Sequence, residues 1–312
     1  MESLSFENLL SADQIQITDI HQLIKWADEY DQRRKQDHQI DDLEGKILAT
    51  LFFEPSTRTR FSFESAMYRL KGQVISLEQG MSSSAKKGES LADMGQIMSQ
   101  YADIIAIRHP KSGSVSEFAS QATVPIINAG DGPNQHPTQS LVDLYTIYRE
   151  KKRITDLKIG FVGDLKYGRT VHSLIKILKQ LSISFYFISH QSLKMPETLK
   201  EELTAANCKW EESTQLKSVL STLDVLYVTR VQEERFESKE SYKQVKDHFI
   251  LKADDVKHLE NLIVLHPLPR VNEIDPQIDQ LPCAKYFKQI EYSLSLRMAL
   301  IAGMLRRNGV YA

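Results

Sequence analysis

Cysteine is scarce in this sequence, and the two that occur are far apart. Cys208 and Cys283 make no CxxC pair and no metal-ligand spacing. The sequence therefore predicts neither a disulfide framework nor a cysteine-bound metal, and we expect both residues to be small buried hydrophobes. This usage is typical of a protein in the reducing cytoplasm, which is where we expect the chain to act.

Long apolar runs are also absent. No segment approaches the length that a membrane-spanning helix needs, so we expect no membrane partner. The first residues, MESLSFENLLSADQ, lack the basic stretch followed by an apolar stretch that marks a secretory signal.

The chain has no excess of positive charge. It carries 39 basic and 41 acidic residues, for a formal net charge of −2. Non-specific binding to nucleic acid requires a basic excess, so we expect no nucleic-acid partner. With 41% hydrophobic and 26% charged residues, the composition is that of a soluble globular protein. Its 312 residues are enough for two domains, each with its own core.

Short apolar segments alternate with segments of helical period. The strand candidates are 47–53, 73–77, 103–108, 124–128, 158–164, 184–189, 224–230 and 261–266. Apolar residues recur at i, i+3, i+4 and i+7 in segments 138–151 and 170–181, which predicts helices there. Strands that are almost entirely apolar, alternating with helices, indicate parallel sheets covered on both faces. The fold class we expect is α/β, with two doubly wound parallel-sheet domains.

The predicted helix 138–151 and the basic residues after it suggest a boundary between the two sheets. We expect a first domain of residues 1–134 and 291–312 and a second of residues 135–290, with a last helix, 292–307, packing back on the first domain. Two polar stretches, 79–88 and 231–246, are predicted to be mobile loops.

The segment FFEPSTRTRFSF (52–63) carries the strongest local signal. An apolar strand leads into Glu54-Pro55, and residues 56–60 then open a helix. The start of a helix presents unpaired N–H groups and the positive end of the helix dipole, which suit a phosphate. A capping hydroxyl followed by two solvated arginines would explain the same residues without any ligand. Two arginines in a first turn oppose the dipole unless an anion is present, so we favour an anion site.

Two further groups follow predicted strands of the first half. Arg108 ends the apolar run 104–107, and His136 and Gln139 lie on one side of the first turn of helix 138–151, with Pro137 at its first position. A lone histidine at a helix start is more often a cap or packing residue than a catalytic one, so both roles stay open for His136.

In the second half, Arg169 precedes a helix and Arg230 ends a strand. Two arginines at one sheet edge suit a dicarboxylate, although a pair of surface salt bridges is the simpler reading. The stretch GFVGDLKYGRT lacks the GxGxxG spacing of a dinucleotide loop. The prolines of His266-Pro267-Leu268-Pro269 lack N–H groups and leave backbone carbonyls open as acceptors.

Taken together, these segments resemble the aspartate carbamoyltransferases, over roughly residues 45 to 310. The matching motifs, in family order, are FFEPSTRTRFSFE, RHP, NAGDGPNQHPTQ, VGDLKYGRTVHS, TRVQ and HPLPR. The related ornithine enzymes share the S-T-R-T and H-P-x-Q motifs but have His-Cys-Leu-Pro where this chain has His266-Pro267-Leu268-Pro269. Their Asp…Ser-Met-Gly loop has no counterpart here, and the pair Arg169 and Arg230 suits an acidic acceptor.

The resemblance implies a role for each matching residue. Its phosphate-binding residues are Ser56, Thr57, Arg58 and Thr59. Its carbonyl-polarising residues are Arg108, His136 and Thr59, with Gln139 on the carbamoyl amide and the carbonyls of Pro267 and Leu268 as further acceptors. Its aspartate-binding residues are Arg169, Thr170, Arg230 and Gln232. A neighbouring chain would donate Ser83 and Lys87 to the carbamoyl phosphate site, with Lys87 also reaching aspartate. The implied catalytic residues are Arg58, Thr59, Lys87, Arg108 and His136.

The resemblance also implies an activity and partners. The enzyme would transfer the carbamoyl group of carbamoyl phosphate to the α-amino group of L-aspartate, in pyrimidine biosynthesis. It would need no metal and no cofactor, and it would act as a homotrimer with shared active sites, with room for a regulatory chain. Two stretches depart from the family: Tyr292-Ser293 stands where Asn-Gly is common, so the entry to the last helix differs, and residues 233–246 align poorly.

Three alternatives remain at this stage. A carbamoyltransferase could use another acceptor, such as ornithine or N-acetylornithine. A nucleotide-dependent dehydrogenase is disfavoured by the missing glycine fingerprint. A non-catalytic homologue would be expected to lose Arg108, His136 or Gln139, all of which are present.

Overall fold

The structure is a computed structural model that describes residues 3–36, 38–78, 88–232 and 248–307, together with residues 236, 238, 240, 242 and 245. The chain forms two compact units. Unit 1 comprises Met1–Tyr145 and Ile290–Ala312, and unit 2 comprises Thr146–Gln289. This division falls inside the predicted helix 138–151. The domain ranges drawn from the sequence, 1–134 with 291–312 and 135–290, stay a prediction.

Unit 1 contains a parallel sheet of four strands in the order β2-β1-β3-β4. The strands are β1 (Ile47–Phe52), β2 (Gln73–Glu78), β3 (Ile104–His109) and β4 (Ile126–Asp131). Residues 104–107 are completely buried, as expected of a strand covered on both faces. The chain goes from β1 to β2 on one side and then to β3 and β4 on the other, so the strand order reverses between β1 and β3.

Amphipathic helices cover this sheet. The helices that begin in unit 1 within its first segment are α1 (Ile17–Lys35), α2 (Thr57–Arg69), α3 (Leu91–Met98), α4 (Ser114–Ala119) and α5 (Pro137–Lys151). Helix α2 buries Phe63, Ala66 and Met67, which recur at i, i+3 and i+4. Met94 of α3 and Phe118 of α4 belong to the same core as the central strands.

Unit 2 contains a parallel sheet of five strands in the order β7-β6-β5-β8-β9. The strands are β5 (Leu157–Val162), β6 (Ile183–Ile188), β7 (Lys209–Ser213), β8 (Val225–Val228) and β9 (Ile263–Leu265). The strand order reverses between β5 and β8. Within its continuously described segments, unit 2 contains the helices α6 (Arg169–Leu178), α7 (Glu197–Ala205) and α8 (Ala253–Val256). Short 3₁₀ turns occupy Ala12–Gln14 in unit 1 and Gln191–Leu193, Leu216–Ser218, Leu220–Thr222 and Pro276–Gln280 in unit 2.

The last helix, α9 (Tyr286–Arg307), returns to unit 1 from residue 290 onward. Its glycine, Gly303, lies against the ring of Trp26 in α1, where an added Cβ would approach the ring to 2.5 Å. Ser295 donates a hydrogen bond to Asp31 at 3.3 Å. The fold class is therefore confirmed: two parallel-sheet α/β units, with the C-terminal helix packed against the first.

The expected helices and strands differ from the structure at two places. Strand β7 was not predicted, because its residues, KWEES, are mostly polar and partly exposed at the edge of the sheet. Helix α9 begins at Tyr286 rather than at residue 292, so Tyr292-Ser293 lies inside the helix and is not its entry. The predicted loop 79–88 lies outside the described residues except for Gly88, and only scattered residues of 231–246 are described.

The two cysteines are free thiols. Cys283 is buried in the core of unit 2, as expected, whereas Cys208 is only partly buried. Among the helices of the described residues, none is long and apolar enough to span a membrane.

Candidate active site

The candidate site of unit 1 lies at the carboxyl edge of its sheet. Helix α2 follows β1, and Arg108 lies near the end of β3, opposite Phe52 of β1 in the parallel register. These are the two strands between which the strand order reverses, which is where ligands bind in open α/β sheets. The topology therefore brings the STRT segment and Arg108 to one place.

The first turn of α2 is arranged to receive an anion. Ser56 occupies the cap position with extended backbone, and its side chain makes no capping hydrogen bond. The first turn contains no acidic residue, so no side chain there offsets the positive end of the helix dipole. Thr59 is 8% exposed. Partial burial also lowers the pKa of Arg58, since desolvation disfavours its charge.

Arg108 is buried beside this turn. Its Nε lies 3.0 Å from Glu54 Oε2, and its Nη1 donates a 3.4 Å hydrogen bond to the carbonyl of Ala129. Burial lowers the pKa of Arg108, the nearby carboxylate of Glu54 opposes that shift, and the positive charge of Arg58 adds to it. Two guanidiniums and one carboxylate thus lie close together here, which leaves a net positive charge at the site.

The loop between β4 and α5 is built around Asp131. One carboxylate oxygen accepts hydrogen bonds from Asn128 Nδ2 and from the backbone N–H of Gln135. The other accepts from Asn134 Nδ2 and from the backbone N–H of Gly113, and all four distances are 2.9–3.2 Å. Gly132 follows with a φ of +57°, where an added Cβ would lie 2.3 Å from the carbonyl oxygen of Pro110. No other residue fits this position without moving the backbone. The loop therefore holds the start of α5 in one conformation.

That start presents His136 and Gln139. His136 is 5% exposed, and its Nδ1 lies 3.4 Å from the hydroxyl of Thr138. The amide nitrogen of Gln139 donates to Asp143 Oδ1 at 2.8 Å. Because Asp143 takes the NH₂ group, the amide oxygen of Gln139 is directed away as an acceptor for an external N–H. Ring nitrogen and amide oxygen thus offer complementary groups to a ligand that has both a carbonyl and an amide.

In unit 2, the turn after β5 is tied to the end of β8. Gly163 has a φ of +116°, and an added Cβ would lie 2.2 Å from the carbonyl of Thr229. The hydroxyl of Thr229 accepts from the Asp164 amide at 3.1 Å, and Asp164 Oδ1 accepts from the Tyr167 amide at 2.9 Å. Helix α6 then begins at Arg169. The polar turn therefore forms at the second reversal of strand order.

Arg169, Thr170, Arg230 and Gln232 converge at this edge. The amide nitrogen of Gln232 donates to the carbonyl of Tyr167 at 3.2 Å, which joins the segment after β8 to the turn that bears Arg169 and Thr170. All four residues are partly exposed, so they are accessible to a ligand. Two guanidiniums, a hydroxyl and an amide can bind two carboxylates.

The segment after β9 is held by a buried pair, His266 and Glu273. His266 Nδ1 accepts from the Leu268 amide at 2.8 Å, so its Nε2 carries the proton and donates to Glu273 Oε1 at 2.7 Å. Burial lowers the pKa of His266, the hydrogen bond to Glu273 and the charge of that carboxylate oppose the shift, and the charges of Arg270 and Arg230 add to it. Leu268 has a φ of +53° and precedes a cis proline, so the Pro267 and Leu268 carbonyls belong to a sharply turned backbone.

The structure thus groups the candidate residues of each unit at its own sheet edge. Ser56, Thr57, Arg58, Thr59, Arg108, His136 and Gln139 belong to unit 1, and Arg169, Thr170, Arg230, Gln232, Pro267 and Leu268 belong to unit 2. Ser83 and Lys87 lie outside the described residues. Among the side chains that the structure describes, no group of three or more His, Cys, Asp or Glu residues is placed to hold a metal ion.

Four residues that the sequence did not indicate orient these groups. Glu54 pairs with Arg108, Asp131 organises the loop before His136, Asp143 orients Gln139, and Glu273 holds His266. Asp143 could have been found from the sequence, because it lies four residues after Gln139 on one helix face. The other three act across longer separations or through loop backbone, for which the sequence gives no local signal.

Comparison with known proteins identifies the family. Two family models match: the carbamoyl-P binding domain of aspartate/ornithine carbamoyltransferase over residues 7–149 and the Asp/Orn binding domain over residues 155–304. The aspartate carbamoyltransferase catalytic subunit of Clostridium kluyveri is 49% identical over 304 residues, which cover 97% of this chain and 99% of that protein.

Solved structures agree. The catalytic subunit of M. jannaschii aspartate transcarbamoylase superposes with a TM-score of 0.92 at 47% identity, covering 98% of this chain and 100% of that one. Trypanosoma cruzi aspartate transcarbamoylase, in complex with carbamoyl phosphate and aspartate, gives a TM-score of 0.89 at 36% identity, covering 95% of this chain and 96% of that one. The chain belongs to the aspartate/ornithine carbamoyltransferase family.

Proposed function

We propose that this enzyme transfers the carbamoyl group of carbamoyl phosphate to the α-amino group of L-aspartate, giving N-carbamoyl-L-aspartate and phosphate in pyrimidine biosynthesis. The observation that supports binding of the donor substrate is the first turn of α2, where the charge of Arg58 is close enough to lower the pKa of Arg108 and no acidic residue lies in the turn. A dianionic phosphate compensates the positive charges that are otherwise unfavourable together.

The remaining groups of unit 1 fit the carbamoyl end of the same substrate. The amide oxygen of Gln139 accepts from the carbamoyl NH₂ group. Arg108, His136 and Thr59 donate to the carbamoyl oxygen. When the amine attacks, the carbonyl carbon becomes tetrahedral and its oxygen gains negative charge, so fixed donors at that oxygen stabilise the transition state more than the substrate.

The arginines of unit 2 bind the acceptor substrate, aspartate. Arg169 and Arg230, with Thr170 and Gln232, bind the two carboxylates of aspartate, and the carbonyls of Pro267 and Leu268 accept hydrogens from the carbamoyl amide. A neutral amine nitrogen forms the new bond to the carbamoyl carbon and loses one proton. The bond from that carbon to the phosphate oxygen breaks, and phosphate leaves. The protein mainly brings together two anionic substrates that repel each other.

We also propose that the enzyme acts in the cytoplasm as a homotrimer, in which Ser83 and Lys87 of one chain complete the carbamoyl phosphate site of the next. This assembly follows from the family resemblance. It is compatible with a further regulatory chain, since the relatives are named catalytic subunits.

A colorimetric assay for carbamoylated product tests the proposed function. The purified chain is given carbamoyl phosphate with aspartate, ornithine or N-acetylornithine in separate reactions. We expect turnover with aspartate alone. Arg230→Ala, assayed beside the wild type, should lose aspartate turnover without gaining the other acceptors. Turnover of ornithine, or no turnover of any acceptor by folded trimer, would contradict the proposal.

A further inference from the structure

Helix α9 carries a charged residue, Arg297, at a position that is almost completely buried. Its side chain is 2% exposed, and the residues that follow it, Met298 to Ile301, are 0% exposed. Burial lowers the pKa of Arg297 to about 9, and the carboxylate of Asp143 opposes that shift. The guanidinium is therefore charged at neutral pH and is surrounded by protein rather than by water.

One side of this guanidinium faces α2. Its Nε donates to the hydroxyl of Ser62 at 3.4 Å, and its carbon lies 4.3 Å from the centre of the Phe63 ring. Ser62 in turn donates to the carbonyl of Thr59 at 2.7 Å. A chain of two hydrogen bonds thus runs from Arg297 to the turn that is proposed to bind phosphate.

The other side faces α5. Nη1 of Arg297 donates to the carbonyl oxygen of Thr138 at 3.0 Å. Thr138 lies between His136 and Gln139, and its hydroxyl is the group that approaches the His136 ring. Asp143, whose charge favours the charged form of Arg297, accepts the hydrogen bond from Gln139. The same guanidinium is therefore linked to both segments that contact the donor substrate.

Packing alone does not account for an arginine here. A buried charge must give up its hydration, and an apolar residue of similar volume commonly stabilises such a position at least as well. What an apolar residue cannot provide is a planar group whose N–H donors have fixed directions. The hydrogen bonds from Arg297 to Ser62 and to Thr138 both end on groups next to the proposed site, so the directions of these donors matter for the site.

We propose that Arg297 is a positioning residue that fixes the first turns of α2 and α5 relative to each other, so that the phosphate donors and the carbamoyl-binding pair are correctly spaced before the substrate arrives. This inference rests on the proposed carbamoyl transfer. Binding of inorganic phosphate should depend chiefly on the first turn of α2, whereas binding of carbamoyl phosphate should depend on the first turns of α2 and α5 together. Loss of Arg297 should therefore weaken carbamoyl phosphate binding much more than phosphate binding.

The test compares Arg297→Met and Arg297→Lys with a control on the same helix, Arg306→Met. Arg306 pairs with Asp42 at 3.1 Å, donates to the hydroxyl of Tyr30 at 3.4 Å and lies over the ring of Trp26, so its loss should weaken the attachment of α9 without cutting the hydrogen bonds that Arg297 makes. The measurements are kcat, the KM of each substrate, the inhibition constant of inorganic phosphate and the melting temperature. All assays are run well below the lowest melting temperature.

For Arg297→Met we expect the KM of carbamoyl phosphate to rise at least tenfold and kcat to fall, with the phosphate inhibition constant within about twofold of wild type. Arg297→Lys keeps the charge but not the planar fork, and it should recover part of the loss. Arg306→Met should lower the melting temperature and leave the kinetic constants unchanged. A merely structural role would reduce the folded fraction and leave KM unchanged.

Three outcomes would overturn the proposal. One is a folded Arg297→Met or Arg297→Lys protein with wild-type kcat and KM. Another is an equal rise in the phosphate inhibition constant and the KM of carbamoyl phosphate. If neither Arg297 variant folds, Ser62→Ala is the deciding variant, because it removes the hydroxyl that links Arg297 to Thr59. We expect it to raise the KM of carbamoyl phosphate at least threefold, and an unchanged KM would be the third outcome that refutes the proposal. A wild-type protein that does not carbamoylate aspartate would instead refute the proposed function.

Discussion

Replacement of Arg58 should affect the stability of the protein and its activity in opposite directions. In the free protein, partial desolvation lowers the pKa of Arg58, and the positive charge of Arg58 in turn lowers the pKa of Arg108 nearby. It also lies at the positive end of α2. Arg58→Met keeps most of the apolar stem and removes the charge. We therefore expect the free energy of unfolding to stay within about 0.5 kcal/mol of wild type, or to rise.

Activity should change in the opposite direction. Once phosphate covers this turn, Arg58 becomes one partner of a desolvated ion pair, and truncating such a partner costs about 2–5 kcal/mol. That range corresponds to a loss of roughly 30-fold to several thousand-fold in kcat/KM for carbamoyl phosphate. The assay is initial rate against carbamoyl phosphate at saturating aspartate, with urea unfolding measured on the same preparation.

Arg60→Met is the matched control, two residues further along the same helix. Arg60 lies 3.6 Å from Glu64 and 5.1 Å from the centre of the Phe61 ring, and it has no assigned contact with substrate. We expect it to keep activity within a few-fold of wild type. Arg58→Met turning over within a factor of two of wild type, or an equal loss in both variants, would refute the reasoning about the anion site.

Three further outcomes are expected. Arg230→Ala should raise the KM of aspartate or lower kcat far more than it weakens carbamoyl phosphate binding, and equal effects on both substrates would contradict its assignment. Burial lowers the pKa of His266, and protonation of its Nδ1 breaks the hydrogen bond from the Leu268 amide, so the melting temperature should fall as pH drops below about 6.5. His266→Gln should flatten that part of the profile of melting temperature against pH, and parallel profiles for variant and wild type would contradict this role of His266. Equal mixtures of Lys87→Ala and Arg58→Ala chains should regain about a quarter of wild-type activity if each site needs Arg58 from one chain and Lys87 from the next, because at random half of the chains keep Arg58 and half of their neighbours keep Lys87. No recovery after confirmed subunit exchange would contradict shared sites.

The sequence was most informative where the physical signal is local. Apolar runs such as 103–108 identified buried strands, and hydroxyls and guanidiniums after such a strand indicated an anion site. All eight predicted strands overlap observed ones. The missed strand, β7, is at the sheet edge, where exposed residues such as Glu211 remove the apolar signature.

Long-range partners could not be predicted in the same way. Glu54 and Arg108 are brought together only by the register of β1 with β3, and the sequence does not state that register. Arg297 resembles any arginine of an amphipathic helix until the fold places Ser62 and Thr138 on either side of it. The assignments of individual contacts to carbamoyl phosphate and aspartate stay predictions that the variants above will test.

The return of α9 to unit 1 has a consequence for synthesis of the chain. The unit 1 residues proposed to bind carbamoyl phosphate, apart from any that a neighbouring chain donates, all precede residue 140, yet the helix that packs beside them includes residues 290–307. While a ribosome makes the chain from the N-terminus, the first unit must wait for roughly half of the protein before its core can close, and unit 2 is complete in sequence before then. A nascent chain that stops after Tyr145 would expose the surface of α1 that α9 covers, so chaperone binding should be strongest during that interval and should end once α9 has emerged.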